Sequence, residues 1–165
     1  MAVLRLSLGV LRSSRSGRRS CATCGSAVDG TPRAIGIGMI ATKHEDLEAW
    51  QLANELKIEV YALIKDGPAS RDFGFRDQIR DSAASVTRNI AEGFGRFRPR
   101  EFAKFMEYAV GSLMETQDSL KDGVDRGYFT PERVAPAQKL AVRAIQVSKK
   151  FIVYLKNCKR NPPYW

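Results

Sequence analysis

The chain has one histidine, three cysteines and no apolar run near the roughly 20 residues of a membrane span. Each scarcity removes a class of function. Cys21 and Cys24 form a CxxC, but no second ligand pair accompanies them, and His44 and Cys158 stand alone. A zinc site built from them would lack ligands, so no metal centre is expected. Three thiols without a disulfide framework suit a reducing compartment, and a cytoplasmic location is expected. A di-metal helical bundle needs Glu-x-x-His motifs, and the sequence has none. Glu92, Glu107 and Glu115 are therefore carboxylates without the partners that catalysis requires. No nucleophile–base pairing is visible, so neither a catalytic residue nor a cofactor is expected and the chain reads as a non-enzyme.

Acidic residues are scarce where basic ones are dense. Residues 1–38 hold six arginines, no lysine and only Asp29, a net +5 out of the chain's +9. This Arg-, Ser- and Gly-rich stretch lacks helical periodicity beyond its first dozen residues and is expected to lie disordered outside the fold. It reads as a transit peptide, as a basic arm that touches nucleic acid, or as an upstream extension with Met39 as the true start. The abrupt change of composition favours the last. At 44% hydrophobic and 27% charged residues, the chain is ordinary for one globular domain.

Alternation with period two is also missing, which argues against strands. What is present is a helical rhythm. Thr42 and Glu45 have capping-box spacing before Leu47, Trp50, Ala53, Leu56, Val60 and Ile64, and Gly67-Pro68 ends that helix. A second helix starts near Phe75 with Ile79, Ala83, Val86 and Ile90 inward. Pro99 introduces a third, with Phe102, Phe105, Ala109, Leu113, Leu120 and Val124 inward. After "DRGYFTPER", with Gly127 at a helix end and Thr130 and Pro131 at a helix start, a fourth carries Val134, Ala137, Ala141, Ala144, Phe151 and Leu155. Short connections between helices of similar length predict an all-α, antiparallel, up-down-up-down four-helix bundle over residues 42–157. A basic, Pro-containing tail follows at 158–165.

The second helix carries an unusual polar stripe. Gln78, Ser82, Ser85, Asn89, Glu92 and Arg96 recur at 4-3-4-3-4 spacing beside the apolar stripe. Arg76, Asp77, Arg80, Asp81, Thr87 and Arg88 fill the remaining, solvated sector. The stripe reads either as the shoulder of an exposed face or as a second packing surface. In the latter, Asn89 and Glu92 meet Ser112 and Glu115 of the third helix or a second protomer, fixing register and oligomeric state.

At these residues a resemblance appears. "HEDLEAWQLANEL", "QIRDSAASVTRNIAEGFGR", "EFAKFMEYAVGSLMET" and "RGYF" together resemble the bacterial four-helix bundle proteins also called 23S rRNA intervening-sequence proteins, over roughly residues 44–157. The resemblance implies a homo-oligomer of antiparallel bundles, a pentameric ring with a basic surface. A related branch, the accessory variability proteins of diversity-generating retroelements, implies nucleic-acid binding. Gln78, Ser82, Asn89, Glu92, Gly93, Gly95, Arg96, Ser112 and Glu115 match motif positions. Asp81 departs from the pattern, standing where a basic residue is usual.

"NIAEGFGRFRPREF", residues 89–102, closes a helix in a chain without strands, so it is not a dinucleotide or P-loop glycine motif. Gly93 and Gly95 are instead expected at a helix C-cap with positive φ. Arg96, Arg98 and Arg100, with Arg88 and Lys104, are the candidate contacts to an RNA or DNA backbone. Phe94 and Phe97 read either as platforms that stack on bases or, the favoured expectation, as cover for the bundle's end. The rival expectation is a protein scaffold that docks a partner protein.

Overall fold

The structure, a computed structural model, describes residues 41–96 and 98–158. The readings of residues 1–38, of Met39 as the start, of Phe97 and of most of the tail lie outside the described residues. Four long helices, α1 (Glu48–Ile64), α3 (Phe73–Gly95), α4 (Pro99–Asp125) and α5 (Pro131–Asn157), alternate in direction, and α2 (Pro68–Arg71) is a single turn. Among the described residues there is no strand. α1 and α4 each pack against both α3 and α5, so the long helices stand at the corners of a square.

One apolar seam per helix meets at the centre. Leu56, Val60, Ile79, Val86, Ile90, Phe102, Met106, Leu113, Leu120, Val134 and Leu155 are all fully buried. Ser148 is also fully buried, and its hydroxyl has no hydrogen-bond partner among the described residues. Pro136 lies within α5 without ending it. Being near the N-terminus, it forgoes one backbone hydrogen bond, to the carbonyl of Glu132.

The helix ends differ from the sequence expectation in three places. The cap before α1 belongs to Asp46 rather than Glu45. A 3-10 turn, His44–Asp46, places Asp46 Oδ2 to accept from the Thr42 and Lys43 backbone N–H groups at 2.9 and 3.1 Å and from the Thr42 hydroxyl at 3.1 Å. Glu45 pairs with Lys43 instead. α3 starts at Phe73, because Asp72 caps it by accepting from Phe75 N–H.

The third difference is at Gly93 and Gly95, which lie inside α3; the positive-φ glycines among the described residues are Gly67 and Gly127. Gly93 is needed for space. A Cβ there would lie 2.5 Å from Phe102 Cδ2 and 2.7 Å from Phe105 Cβ, whereas one at Gly95 meets nothing within 4 Å among the described residues. α3 and α4 approach closely at Gly93, and that closeness lets Phe102 reach the centre.

Gly127, at φ 71°, closes α4 in a Schellman arrangement: Tyr128 N–H reaches the Gly123 carbonyl at 2.8 Å and Gly127 N–H the Val124 carbonyl at 2.9 Å. Thr130 then caps α5 by accepting from Arg133 N–H, with Pro131 in the first helical position.

Candidate nucleic-acid interface

The polar stripe of α3 divides along its length. Its inner members are used within the chain. Ser82 is 4% exposed and Thr116, opposite it on α4, is 0% exposed; the Thr116 hydroxyl donates to Ser82 Oγ at 3.0 Å. Ser112 Oγ reaches Ser85 Oγ at 3.0 Å, and Asn89 Nδ2 donates to the Ser85 carbonyl and hydroxyl at 2.9 and 3.0 Å. Three serines and a threonine therefore form a short ladder along the α3–α4 seam. The pairing expected of Asn89 and Glu92 with Ser112 and Glu115 is not what forms. Ser112 goes to Ser85, Asn89 turns back to its own helix, and Glu92 pairs with Arg96 one turn away. Glu115, like Gln78, is exposed.

The solvated sector is corrected at Thr87, which is buried, its hydroxyl donating to the Ala84 carbonyl at 3.0 Å. An amphipathic wheel assigns a residue by angle alone. A helix packed against two neighbours buries a wider arc than the apolar stripe alone marks out.

The basic candidates fall into two groups. Arg96, Arg98, Arg100 and Lys104 surround the turn between α3 and α4. Arg88 lies two turns earlier on α3, about 12 Å along the axis from Arg96, and donates to the Asp81 carbonyl at 3.5 Å. Arg96 sits over the Phe105 ring at 5.2 Å besides pairing with Glu92, and Arg98 Nη1 lies 3.1 Å from Glu101 Oε1. Arg100 and Lys104 are exposed and form no ion pair among the described residues. Exposed ion pairs such as those of Arg96 and Arg98 contribute on the order of 0–1 kcal/mol, little enough for a phosphate to displace the carboxylate.

Beneath this turn is an aromatic plug. Phe94 packs edge-on against Phe102 at 6.2 Å and against the His44 ring at 6.3 Å, and Trp50 meets His44 at 5.4 Å. Phe94 thus closes the bundle's end, and His44 is a packing residue of that closure.

Two features have no counterpart in the sequence reading. The first is a clasp at the opposite end. Asp72 Oδ2 accepts from the Tyr128 hydroxyl at 2.8 Å and lies 3.4 Å from Arg126 Nη1, while Oδ1 caps α3. The Phe75 N–H and the Tyr128 hydroxyl, with Arg126 adding to them, hold its carboxyl below the usual aspartate range. "RGYF" is thereby a structural signature, with Phe129 seated where Gly123 leaves room. The second is the distribution of charge among helices. α5 has six bases (Arg133, Lys139, Arg143, Lys149, Lys150, Lys156) and one acid, Glu132. α1 has one base and three acids, α3 three of each, and α4 three bases and six acids. The signal is legible in the sequence as a charge count per helix.

Among the described residues no group of His, Cys, Asp and Glu can hold a metal ion, and no helix is long and apolar enough to cross a membrane. Glu92 and Glu107 are engaged with Arg96 and Lys156. The fold defines a four-helix bundle protein. The family model described as 23S rRNA-intervening sequence protein matches residues 45–151, and the chain belongs to that family. A search of curated proteins finds no significant match.

Proposed function

We propose that this chain is a non-enzymatic, homo-oligomeric four-helix bundle of the cytoplasm that binds the phosphate backbone of RNA or DNA through a basic surface. The observation that carries this reading is the turn between α3 and α4. There Arg100 and Lys104 are exposed without carboxylate partners among the described residues, beside Arg96 and Arg98, whose ion pairs are exchangeable. Such a group is modest in one protomer. A ring, pentameric as the family resemblance implies, repeats it in every copy, and phosphate affinity grows with the number of charges engaged. The family's name connects it with 23S rRNA and is compatible with an RNA partner.

The outer members of the stripe, Gln78 and Glu92, together with Glu115 of α4, are exposed and are the groups left for contact between copies, with the half-buried Asn89 one turn before Glu92 on α3. Asn89→Leu is expected to change the assembly state, read as mass by light scattering; an unchanged mass removes the stripe from the interface. A purified protein that shifts neither RNA nor DNA at low salt would end the nucleic-acid reading. With binding present, Arg96, Arg98 and Arg100 changed together to Ala weaken it and flatten its salt dependence.

A scaffold for a partner protein is the second reading. It draws on Tyr108 and Met114 of α4, which are 61% and 55% exposed. Its expected result is salt-insensitive capture of protein with no nucleic acid co-purifying.

A further inference from the structure

We infer that the outer face of α5 is the principal surface on which this protein holds a nucleic-acid backbone. The inference rests on the nucleic-acid reading above and moves its centre away from the arginine turn. α5 carries a net +5, whereas α1, α3 and α4 together carry a net −5. Two of its six cations have partners: Arg143 Nη2 lies 2.9 Å from Glu48 Oε1, and Lys156 Nζ 2.6 Å from Glu107 Oε1. Arg133, Lys139, Lys149 and Lys150 are exposed and have no ion pair among the described residues.

A solvated helix face is the ordinary explanation of a charge run, and it fits poorly here. Solvated helices stabilise themselves with acids four residues from their bases. Around Lys139 those positions are Ala135 and Arg143, around Lys149 Ile145 and Val153, and around Lys150 Gln146 and Tyr154. Lys139 and Arg143 repel at that same spacing. Complementing the helix dipole does not explain the lysines either. That effect is confined to the last turn, which contains only Lys156. Lys139, Lys149 and Lys150 thus have neither a carboxylate at helical spacing nor an ion pair among the described residues, which leaves them available to an external anion.

The geometry suits an extended one. Lys139, Arg143, Gln146, Lys150, Val153 and Asn157 recur at 4-3-4-3-4 and are all exposed, giving one straight, largely polar stripe. From Lys139 to Lys150 the cations span about 16 Å, a rod of charge rather than a point.

The test is fluorescence anisotropy of a single-stranded RNA 20-mer with the full chain, across a salt series, for wild type and the K139Q/K149Q/K150Q variant. All three side chains are exposed, and circular dichroism checks that the bundle is intact. The variant is expected to bind at least tenfold more weakly at low salt. Its slope of log K against log salt should be shallower by about 2, at roughly 0.7 for each phosphate that the removed lysines no longer neutralise. Wild type binding RNA with the variant within twofold of it overturns the placement on α5 and leaves the functional reading standing. Wild type binding neither this RNA nor a DNA strand of the same length overturns both. A variant that changes the assembly mass would make the face a contact between copies, and that too overturns the inference.

Discussion

Gly93 offers the sharpest test of the packing, because sequence and structure assign it different jobs. If it were a positive-φ cap, asparagine would be the best replacement and alanine the worse one. In the structure it is helical and touches α4. The added Cβ of Gly93→Ala lies 2.5 and 2.7 Å from Phe102 and Phe105 carbons, well inside contact distance. Phe102 is fully buried and packs edge-on against Phe94 and Phe151, so its ring has little freedom to retreat. Overpacking of this kind costs about 1–3 kcal/mol, and alanine's better helix propensity returns up to about 1 kcal/mol. A net loss of about 1–2 kcal/mol is expected, and a larger loss for asparagine, which is bulkier still.

The control is Gly111→Ala. Gly111 is also inside a helix, but a Cβ there meets nothing within 4 Å among the described residues. There the propensity gain stands alone, and a stabilisation of up to about 1 kcal/mol is expected. Urea unfolding followed by far-UV circular dichroism gives both values, and a constant m-value confirms that the change is in stability. Should Gly93→Ala stabilise the protein as Gly111→Ala does, or Gly93→Asn prove milder than Gly93→Ala, the close approach of α3 and α4 is wrong.

Two further outcomes follow from the same packing. Asp72 has its carboxyl held low by the Phe75 N–H, the Tyr128 hydroxyl and Arg126, so its contribution is present above the ordinary aspartate pKa of about 3.9 and is lost as pH falls through the lower folded value. The thermal midpoint of wild type should therefore fall more steeply below about pH 4 than that of Asp72→Asn, and parallel curves would refute the clasp. Thr116→Val and Ser82→Ala should each cost about 1 kcal/mol. Each hydroxyl also has a backbone carbonyl within reach, Ser112 for Thr116 and Ile79 for Ser82. A double-mutant cycle should return a positive coupling of about 0.5–1 kcal/mol, and strict additivity would show that the ladder does not form.

Local chemistry decided much of this protein in advance. The 3.6-residue rhythm of Leu56, Val60, Ile79, Val86, Ile90, Leu113 and Leu120 can be satisfied only by amphipathic helices. The breaks at Gly67-Pro68, Pro99 and Gly127 leave connections too short for anything but antiparallel neighbours. The bundle was legible for that reason, as were the Thr130–Pro131 start of α5 and the arginines at the α3–α4 turn.

Only the tertiary structure decided which polar group meets which. Ser82 finding Thr116, Ser85 finding Ser112 and Asp72 finding Tyr128 depend on distances across the bundle, between residues 27 to 56 apart in sequence, and no helical period encodes them. The role of Gly93 likewise depends on how near a neighbouring helix comes. The burial of Thr87 depends on its helix having neighbours on two sides rather than one. Periodicity determines which side of a helix turns inward, whereas the partner waiting there is a matter of packing in three dimensions.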